Sequence, residues 1–322
     1  MTSDIRWMEE AIVLGERGRG QTAPNPSVGC VIVRNGGTVG RGWTQPGGRP
    51  HAEAVALAEA GAQARGATAY VTLEPCAVPG RGPACADALI EAGIARVVAA
   101  ISDPFHHVNG DGFDKLRGAG IIVEVGACAA EAERSMAGFL TRQRLGRPFV
   151  TLKLAMSLDG RIALPSGESR WITGEEARTD VHRERARADM ILVGRGTYQA
   201  DSPSLDIRLE GYEDRAPRRA LLTAGDAPEG WEAIRAPEAV AALPGVNDLL
   251  VEGGAGAAAA FLAADLVDRL LIYRAPILIG AGKSAIGDIG LASLAEAHGR
   301  WSLAETRMLG IDRLDVYERV RS

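Results

Sequence analysis

The hydrophobic pattern switches between two periods along the first half of the chain. Residues 4–17 place Trp7, Met8, Ala11 and Ile12 on one face at helical spacing, which predicts an amphipathic helix. Val28–Val33 reads as a strand, Asn35-Gly36-Gly37 as a turn and Thr38–Trp43 as the returning strand. A helix is expected over His51–Ala60, stopped by Gly61. A strand over Ala69–Leu73 then leads into Pro75-Cys76. A helix over 83–92 follows, with Pro83 near its first turn and Gly93 past its end. Arg96–Ile101 is apolar enough for a buried strand. A helix near 110–118 and a strand near 121–125 complete an α/β unit.

Residues 129–145 read as one Ala- and charge-rich helical stretch ending at Gly146-Arg147-Pro148, where a domain boundary is expected. This gives domains 1–146 and 147–322. The second opens on a strand over Phe149–Ala155. Thr173, with Glu176 three residues on, predicts a capping box for a helix running to about 188. Strands follow over Asp189–Gly194 and Leu249–Glu252, then Gly253-Gly254-Ala255-Gly256 and an alanine-rich helix. Strands near 268–275, 302–308 and 313–319 close the chain.

Composition changes this picture little. The chain has 322 residues, 46% hydrophobic and 24% charged, enough for two globular cores. A net charge of −5 and no basic aromatic stripe argue against a nucleic-acid partner. No window approaches the ~20 apolar residues of a membrane span, and the N-terminus has no apolar signal core, so a cytoplasmic protein without membrane attachment is expected. Four cysteines make no disulfide framework in a chain of this length.

Candidate chemistry centres on His51-Ala52-Glu53, Pro75-Cys76 and Cys85. One imidazole and two thiolates supply three zinc ligands, and a catalytic zinc keeps its fourth position for water. Glu53, off the metal, is placed to carry protons in the deamination of a pyrimidine-like ring. A four-ligand structural zinc, or buried cysteines without metal, is the plainer alternative. Cys30 and Cys128 read as core thiols, and His106 and His107 as loop residues outside the metal site. Pro24-Asn25-Pro26 fixes an extended turn from which Asn25 can present its amide to a ring edge. In the second half the glycines after Glu252 allow close backbone approach, and the following helix offers free N–H groups to a phosphate. Lys153, Arg185 and Arg208 are cations suited to a substrate phosphate.

Several passages together resemble the bifunctional deaminase/reductase family of riboflavin biosynthesis. They are PNPSVGCVIV at 24–33, GGRPHAEAVAL at 47–57, ATAYVTLEPC at 67–76 and CADALIEAGIARVV at 85–98. The second half adds FVTLKLAMSLDGRIA at 149–163, SGESRWITGEEAR at 166–178, ILVGRGTYQADSPSLDIR at 191–208, VEGGAG at 251–256 and LVDRLLIYRAPILIG at 266–280. The resemblance implies an α/β fold class: a cytidine-deaminase-like three-layer N-terminal domain and a dihydrofolate-reductase-like C-terminal domain. It implies a zinc-dependent loss of the 2-amino group from a phosphoribosylated diaminopyrimidinone, then reduction of the ring-opened ribosyl group to ribityl by NADPH.

Carried over residue by residue, the resemblance gives His51, Cys76 and Cys85 as zinc ligands and Glu53 as proton shuttle. Ala155, Trp171, Thr197, Asp201 and the segment beginning Gly254, Ala255, Gly256 fall at NADPH positions. Ser169, Arg185, Leu205, Arg208 and Glu252 fall at substrate positions, and Lys153 at a lysine of the family's site. The only implied partner is the small-molecule substrate, and pairing into a homo-oligomer is expected. The loop Ala77–Ala84 lacks the family's usual Ser-His and Thr-Pro-Pro. Asp103-Pro104-Phe105-His106 and Gly110-Asp111-Gly112 differ from its Asp-Pro-Asn-Pro and Gly-Arg-Gly. The stretch 209–248 is shorter, and Thr223-Ala224 stands where a serine is usual. These departures motivate a second reading, a reductase with an impaired or re-aimed deaminase.

Overall fold

The computed structural model describes residues 2–80, 82–104 and 110–321. Arg81, Phe105, His106 and His107 lie outside the described residues. The chain divides into two compact units, Met1–Gly146 and Arg147–Ser322.

In the first unit, helix α1 (Thr2–Glu16) buries Trp7, Met8, Ala11 and Leu14, the apolar stripe of its sequence. Strands β1 (Gly29–Arg34) and β2 (Gly37–Trp43) form a hairpin, with Asn35 and Gly36 both at positive φ in its turn. Helix α2 (Ala52–Ala60) stops at Gly61, whose φ of 52° ends the helical path. Then come β3 (Thr68–Leu73), α3 (Cys85–Glu91), β4 (Arg96–Ile101), α4 (Asp111–Gly118) and β5 (Ile122–Val125). The sheet order is β2-β1-β3-β4-β5, with β3, β4 and β5 parallel. β1, β3 and β4 are buried over nearly their whole length, as strands covered on both faces must be.

Glycine decides how closely helices lie on this sheet. A Cβ at Gly29 would stand 1.8 Å from the Ala11 carbonyl oxygen of α1. One at Gly42 would stand 2.1 Å from that of Ala52 in α2, and one at Gly40 2.2 Å from that of Ala56. The β2 glycines therefore let α2, the element carrying His51 and Glu53, rest directly on the backbone of the sheet.

The expected single helix over 129–145 is two, α5 (Ala129–Ser135) and α6 (Ala137–Leu145), broken at Met136 where φ is −109° and ψ 20°. Pro83 lies outside α3, ahead of its N-cap Ala84. Cys30 is fully buried, but Cys128 is only half-buried, because it caps α5 in a left-handed conformation at the surface.

The second unit is built on β6 (Phe149–Met156) with a short β7 (Arg161–Ala163), α7 (Glu175–Arg187), β8 (Met190–Gly194), α8 (Arg195–Asp201), β9 (Arg218–Leu222) and β10 (Glu232–Ile234). It continues with β11 (Asp248–Val251), α9 (Ala255–Ala263), β12 (Arg269–Arg274), β13 (Lys283–Ser284), β14 (Trp301–Leu309) and β15 (Asp312–Arg319). Eight strands run in the order β10-β9-β8-β11-β6-β12-β15-β14, parallel through β12 and antiparallel after it. Alternate side chains feed opposite cores. Met190 and Leu192 of β8 join Phe261 of α9 on one face, while Ile191 and Val193 join Leu205 on the other.

The capping box does not form. Gly174, not Thr173, is the N-cap of α7, and its N–H is taken by Asp312 Oδ2 at 2.6 Å. Glu176 thereby shifts to the second helical position, out of reach of a box. The carboxylate arriving from β15 displaces the local solution.

Candidate active sites

In the first unit, three chain segments meet at one point. His51 is the N-cap of α2, Cys76 follows β3 after Glu74 and Pro75, and Cys85 is the first residue of α3. His51 Nδ1 lies 3.2 Å from Cys85 Sγ and 3.7 Å from Cys76 Sγ, and all three ligand atoms fall within 4.8 Å of one another. Zinc bonds of about 2.3 Å to sulfur and about 2.0 Å to nitrogen in a tetrahedron give an N···S edge of about 3.5 Å. The donor set therefore fits a zinc ion in both chemistry and spacing. The Cys85 N–H donates to Cys76 Sγ at 3.3 Å, fixing that sulfur from the start of α3.

The electrostatics agree with a site made for a cation. Hydrogen bonding from Cys85 holds the Cys76 thiol down to about 4, while Cys76 and burial push the Cys85 thiol up, so the two sulfurs compete for one proton. Hydrogen bonding to Cys76 raises His51. Glu53, in the first turn of α2, is 4% exposed and stands outside the three-ligand group. Burial raises its carboxyl above the usual range.

Two further residues shape this site. Asn25 Nδ2 donates to the Gly48 carbonyl at 2.9 Å, tying its loop to the segment just before His51. Glu74 was not singled out in the sequence. Its buried carboxylate accepts N–H groups from Asp103 (3.2 Å), Gly110 (3.0 Å), Gly112 (3.0 Å) and Phe113 (3.4 Å), which fastens the start of α4 beside the Cys76 turn. Its position directly before Pro75-Cys76 was the one available signal.

In the second unit, Lys153 on β6, Glu252 after β11 and Arg185 on α7 converge. Arg185 holds Glu252 through both forks, Nε to Oε1 at 2.6 Å and Nη2 to Oε2 at 2.9 Å. Its Nη1 donates to the Asp206 carbonyl at 3.0 Å. Read from sequence as a phosphate cation, Arg185 thus already has a carboxylate partner. Lys153 Nζ lies 3.8 Å from Glu252 Oε2. Burial lowers the Lys153 ammonium below its ordinary value against the pull of Glu252. Burial opposes the charge of Glu252, but Arg185 and Lys153 outweigh it and keep its carboxyl low. Arg208 is exposed, paired with Asp206 at 2.9 Å, and its N–H donates to His182 Nδ1 at 3.3 Å. Leu205 is buried beneath this loop with φ of 54°.

The residues expected at a dinucleotide form a second group. Thr197 Oγ1 accepts the Gly254 N–H at 2.9 Å, joining α8 to the start of α9. Gly253 is required there, since a Cβ would meet that of Ala257 at 2.6 Å, whereas a Cβ at Gly256 would meet nothing within 4 Å. The close-packed turn with an open glycine at the head of a helix fits a phosphate-bearing cofactor. Asp201 accepts from Arg170 through its carbonyl at 3.0 Å. The neighbouring Trp171 is 68% exposed, with the Arg178 guanidinium 4.6 Å from its ring centroid. Ser169 is half-buried in the same segment, and Ala155 is half-buried on β6 opposite Tyr273. Arg195 and Arg235 were missed in sequence. Both guanidiniums brace the turn after β9: Arg195 Nε donates to Thr223 Oγ1 at 2.6 Å, and Arg235 Nη1 donates to the Ala224 carbonyl at 2.6 Å.

Comparison with known proteins agrees with this geometry. Residues 1–101 match the cytidine and deoxycytidylate deaminase zinc-binding region, and residues 148–230 and 231–313 match the RibD C-terminal domain. The riboflavin biosynthesis protein RibD of Haemophilus influenzae is 40% identical, covering 97% of this chain and 96% of its own. That of Escherichia coli is 41% identical, covering 96% and 97%. Among solved structures, Acinetobacter baumannii RibD superposes with a TM-score of 0.87 at 38% identity. A Thermotoga maritima diaminohydroxyphosphoribosylaminopyrimidine deaminase/5-amino-6-(5-phosphoribosylamino)uracil reductase does so with 0.89 at 30%. Each covers 99% of both chains. The first unit is thus cytidine-deaminase-like and the second of the RibD reductase type.

The metal site carries a direct test. Cys85→Ser removes one of three ligands, and bound zinc measured by atomic absorption should fall from about one ion per chain to near zero. Acid should strip the unaltered protein too, because protons compete with the metal for the thiolates and the imidazole. Undiminished zinc in the Cys85→Ser protein would refute the assignment.

Proposed function

The chain belongs to the RibD family of riboflavin biosynthesis proteins, and on that premise we propose how its two units divide the work. Residues 1–146 remove the 2-amino group of 2,5-diamino-6-(5-phosphoribosylamino)pyrimidin-4(3H)-one by hydrolysis. Residues 147–322 reduce the ribosyl group of the product to ribityl with NADPH. The observation that carries the deaminase is the His51–Cys76–Cys85 group with a buried Glu53 outside it. Those four residues are intact although the loop between the cysteines is altered, which disfavours the reading of an impaired first unit.

Zinc, when bound, activates water at neutral pH. The protein's part falls to Glu53. Its raised carboxyl takes one proton from the attacking water and gives it to the ring nitrogen, then takes the second from the added hydroxyl and gives it to the departing amine, leaving a carbonyl and ammonia. Asn25 keeps the segment before His51 in place.

In the second unit, NADPH supplies a hydride. Lys153 Nζ gives a proton to the sugar ring oxygen as the ring opens, and Glu252, held by Arg185, aims that ammonium. Arg208, with its guanidinium exposed, and Ser169 suit the substrate phosphate. Thr197, Asp201, Trp171, Ala155 and the 254–256 turn suit the dinucleotide. Arg195 and Thr223 lie just past the carboxyl ends of the parallel strands β8 and β9, where a 2′-phosphate calls for a nearby arginine. Pairing with a second copy is supported by the outer strand β14, which leaves Leu303 and Met308 exposed. A cytoplasmic setting is supported by the free thiols, and no described helix is long and apolar enough to cross a membrane.

Three measurements test this reading. The zinc-loaded protein given the diaminopyrimidine phosphate and NADPH should release ammonia and form the ribityl product. Glu53→Gln should keep its zinc but lose ammonia release by ~100-fold or more, and an active Glu53→Gln protein would remove Glu53 from the mechanism. Second, reductase turnover should fall as pH rises through the Lys153 pKa, at a pH below the ~10.4 of a free lysine. Because Glu252 raises that pKa, Glu252→Gln should move the alkaline limb lower still, and an unmoved limb would detach Lys153 from proton donation. Third, Arg195→Ala should weaken NADPH binding ~10-fold or more with NADH binding unchanged, followed by nucleotide fluorescence. Equal loss for both nucleotides would reject the 2′-phosphate role.

A further inference from the structure

The loop between the two cysteines offers almost nothing polar. Ala77, Val78, Pro79, Gly80, Gly82, Pro83 and Ala84 can contribute only backbone, leaving Arg81 as its one polar side chain. A substrate bearing a phosphate can therefore draw on Arg81 and on a cation from outside the loop. Arg49 is placed to be one. It stands two residues before His51, and its guanidinium lies beside Gly80 of the opposite loop. A Cβ there would be 2.3 Å from Arg49 Nη2.

Arg49 also has no charged partner among the described residues. Arg41 pairs with Glu10, Arg96 with Asp4 and Glu124, and Arg117 with Asp114, whereas the half-buried Arg49 makes no ion pair or side-chain hydrogen bond among the described residues. The backbone beneath it is held still. Gln45 N–H donates to the Pro50 carbonyl at 3.0 Å, and Gly48, at φ of 82°, is clasped by Asn25. A partly desolvated cation on a fixed backbone, with its side-chain donors unused among the described residues, can receive an anion, and a guanidinium fork matches phosphate geometry.

We propose that Arg49 grips the phosphate of the diaminopyrimidine substrate in the deaminase pocket and sets that unit's selectivity for phosphorylated over dephosphorylated substrate. The proposal rests on the deaminase reading above. It makes Arg49 a binding residue for the part of the substrate remote from the reacting carbon, so its contribution belongs in KM.

The test uses the full-length, zinc-loaded protein and two substrates, the diaminopyrimidine phosphate and its dephosphorylated nucleoside, with ammonia release as readout. Arg49→Ala should raise KM for the phosphate ~10- to 100-fold with kcat little changed. KM for the nucleoside, zinc content and reductase rate should stay as they were. Arg49→Lys should recover part of the loss. Arg49→Gln preserves bulk, and its KM ratio between the two substrates decides the matter even if Arg49→Ala folds poorly. An unchanged ratio in both Arg49→Ala and Arg49→Gln overturns the proposal. If the unaltered protein released no ammonia from either substrate, the deaminase reading would fall together with the proposal. Ammonia release at an unaltered KM in the variants would sink the Arg49 role alone.

Discussion

Everything in the first unit depends on bringing one nitrogen and two sulfurs within bonding distance of a single ion while keeping a carboxylate close but off it. Three segments far apart in sequence must arrive with errors of a few tenths of an ångström. The fold achieves this by removing side chains between layers. Gly40 and Gly42 let α2 rest on the sheet backbone, so the helix start that carries His51 and Glu53 cannot drift. The Cys85 N–H then clamps Cys76 from the start of α3. Burial that raises the Glu53 carboxyl follows from the same close approach, since a looser helix would admit water and return the group to its ordinary acidity.

The second unit solves a different problem, a buried cluster of charges. Glu252 is held by two nitrogens of Arg185 and approached by Lys153, so the cluster carries one negative and two positive charges. Taking such groups out of water is costly, and removing Glu252 would leave two cations uncompensated. A cluster of this kind contributes little to stability for its cost, but it holds the ammonium of Lys153 near Glu252 while burial depresses its proton affinity. Those are the properties a proton donor needs beside a reacting sugar.

Much of this was legible in the sequence. The three residues that meet as a candidate zinc site could be named because each lies at a local junction with its own signature: an N-cap, a Pro-Cys turn and the first residue of a helix. The buried strands of both sheets showed as apolar runs. What failed was whatever depends on distant partners. Glu74 looks unremarkable until N–H groups 29 to 39 residues away close on it. The Thr173 capping box was sound local chemistry, overruled by Asp312, which takes the Gly174 N–H from 138 residues further on. β9 and β10 begin with Arg218, Arg219 and Glu232, charges that hide an edge-strand pattern, and two of them, Arg218 and Glu232, pair with each other. Arg185 could be recognised as important but not as the holder of Glu252, because the pair is 67 residues apart.

Glu74 has one more consequence. A single carboxylate, seated upstream of the cysteine-to-cysteine loop, fastens α4 through backbone groups alone. Among the described residues, no side chain of 77–84 takes part in that anchorage. The loop is therefore free to drift over evolutionary time without loosening the scaffold behind it, and a lineage can retune what enters the pocket by rewriting one short stretch of chain.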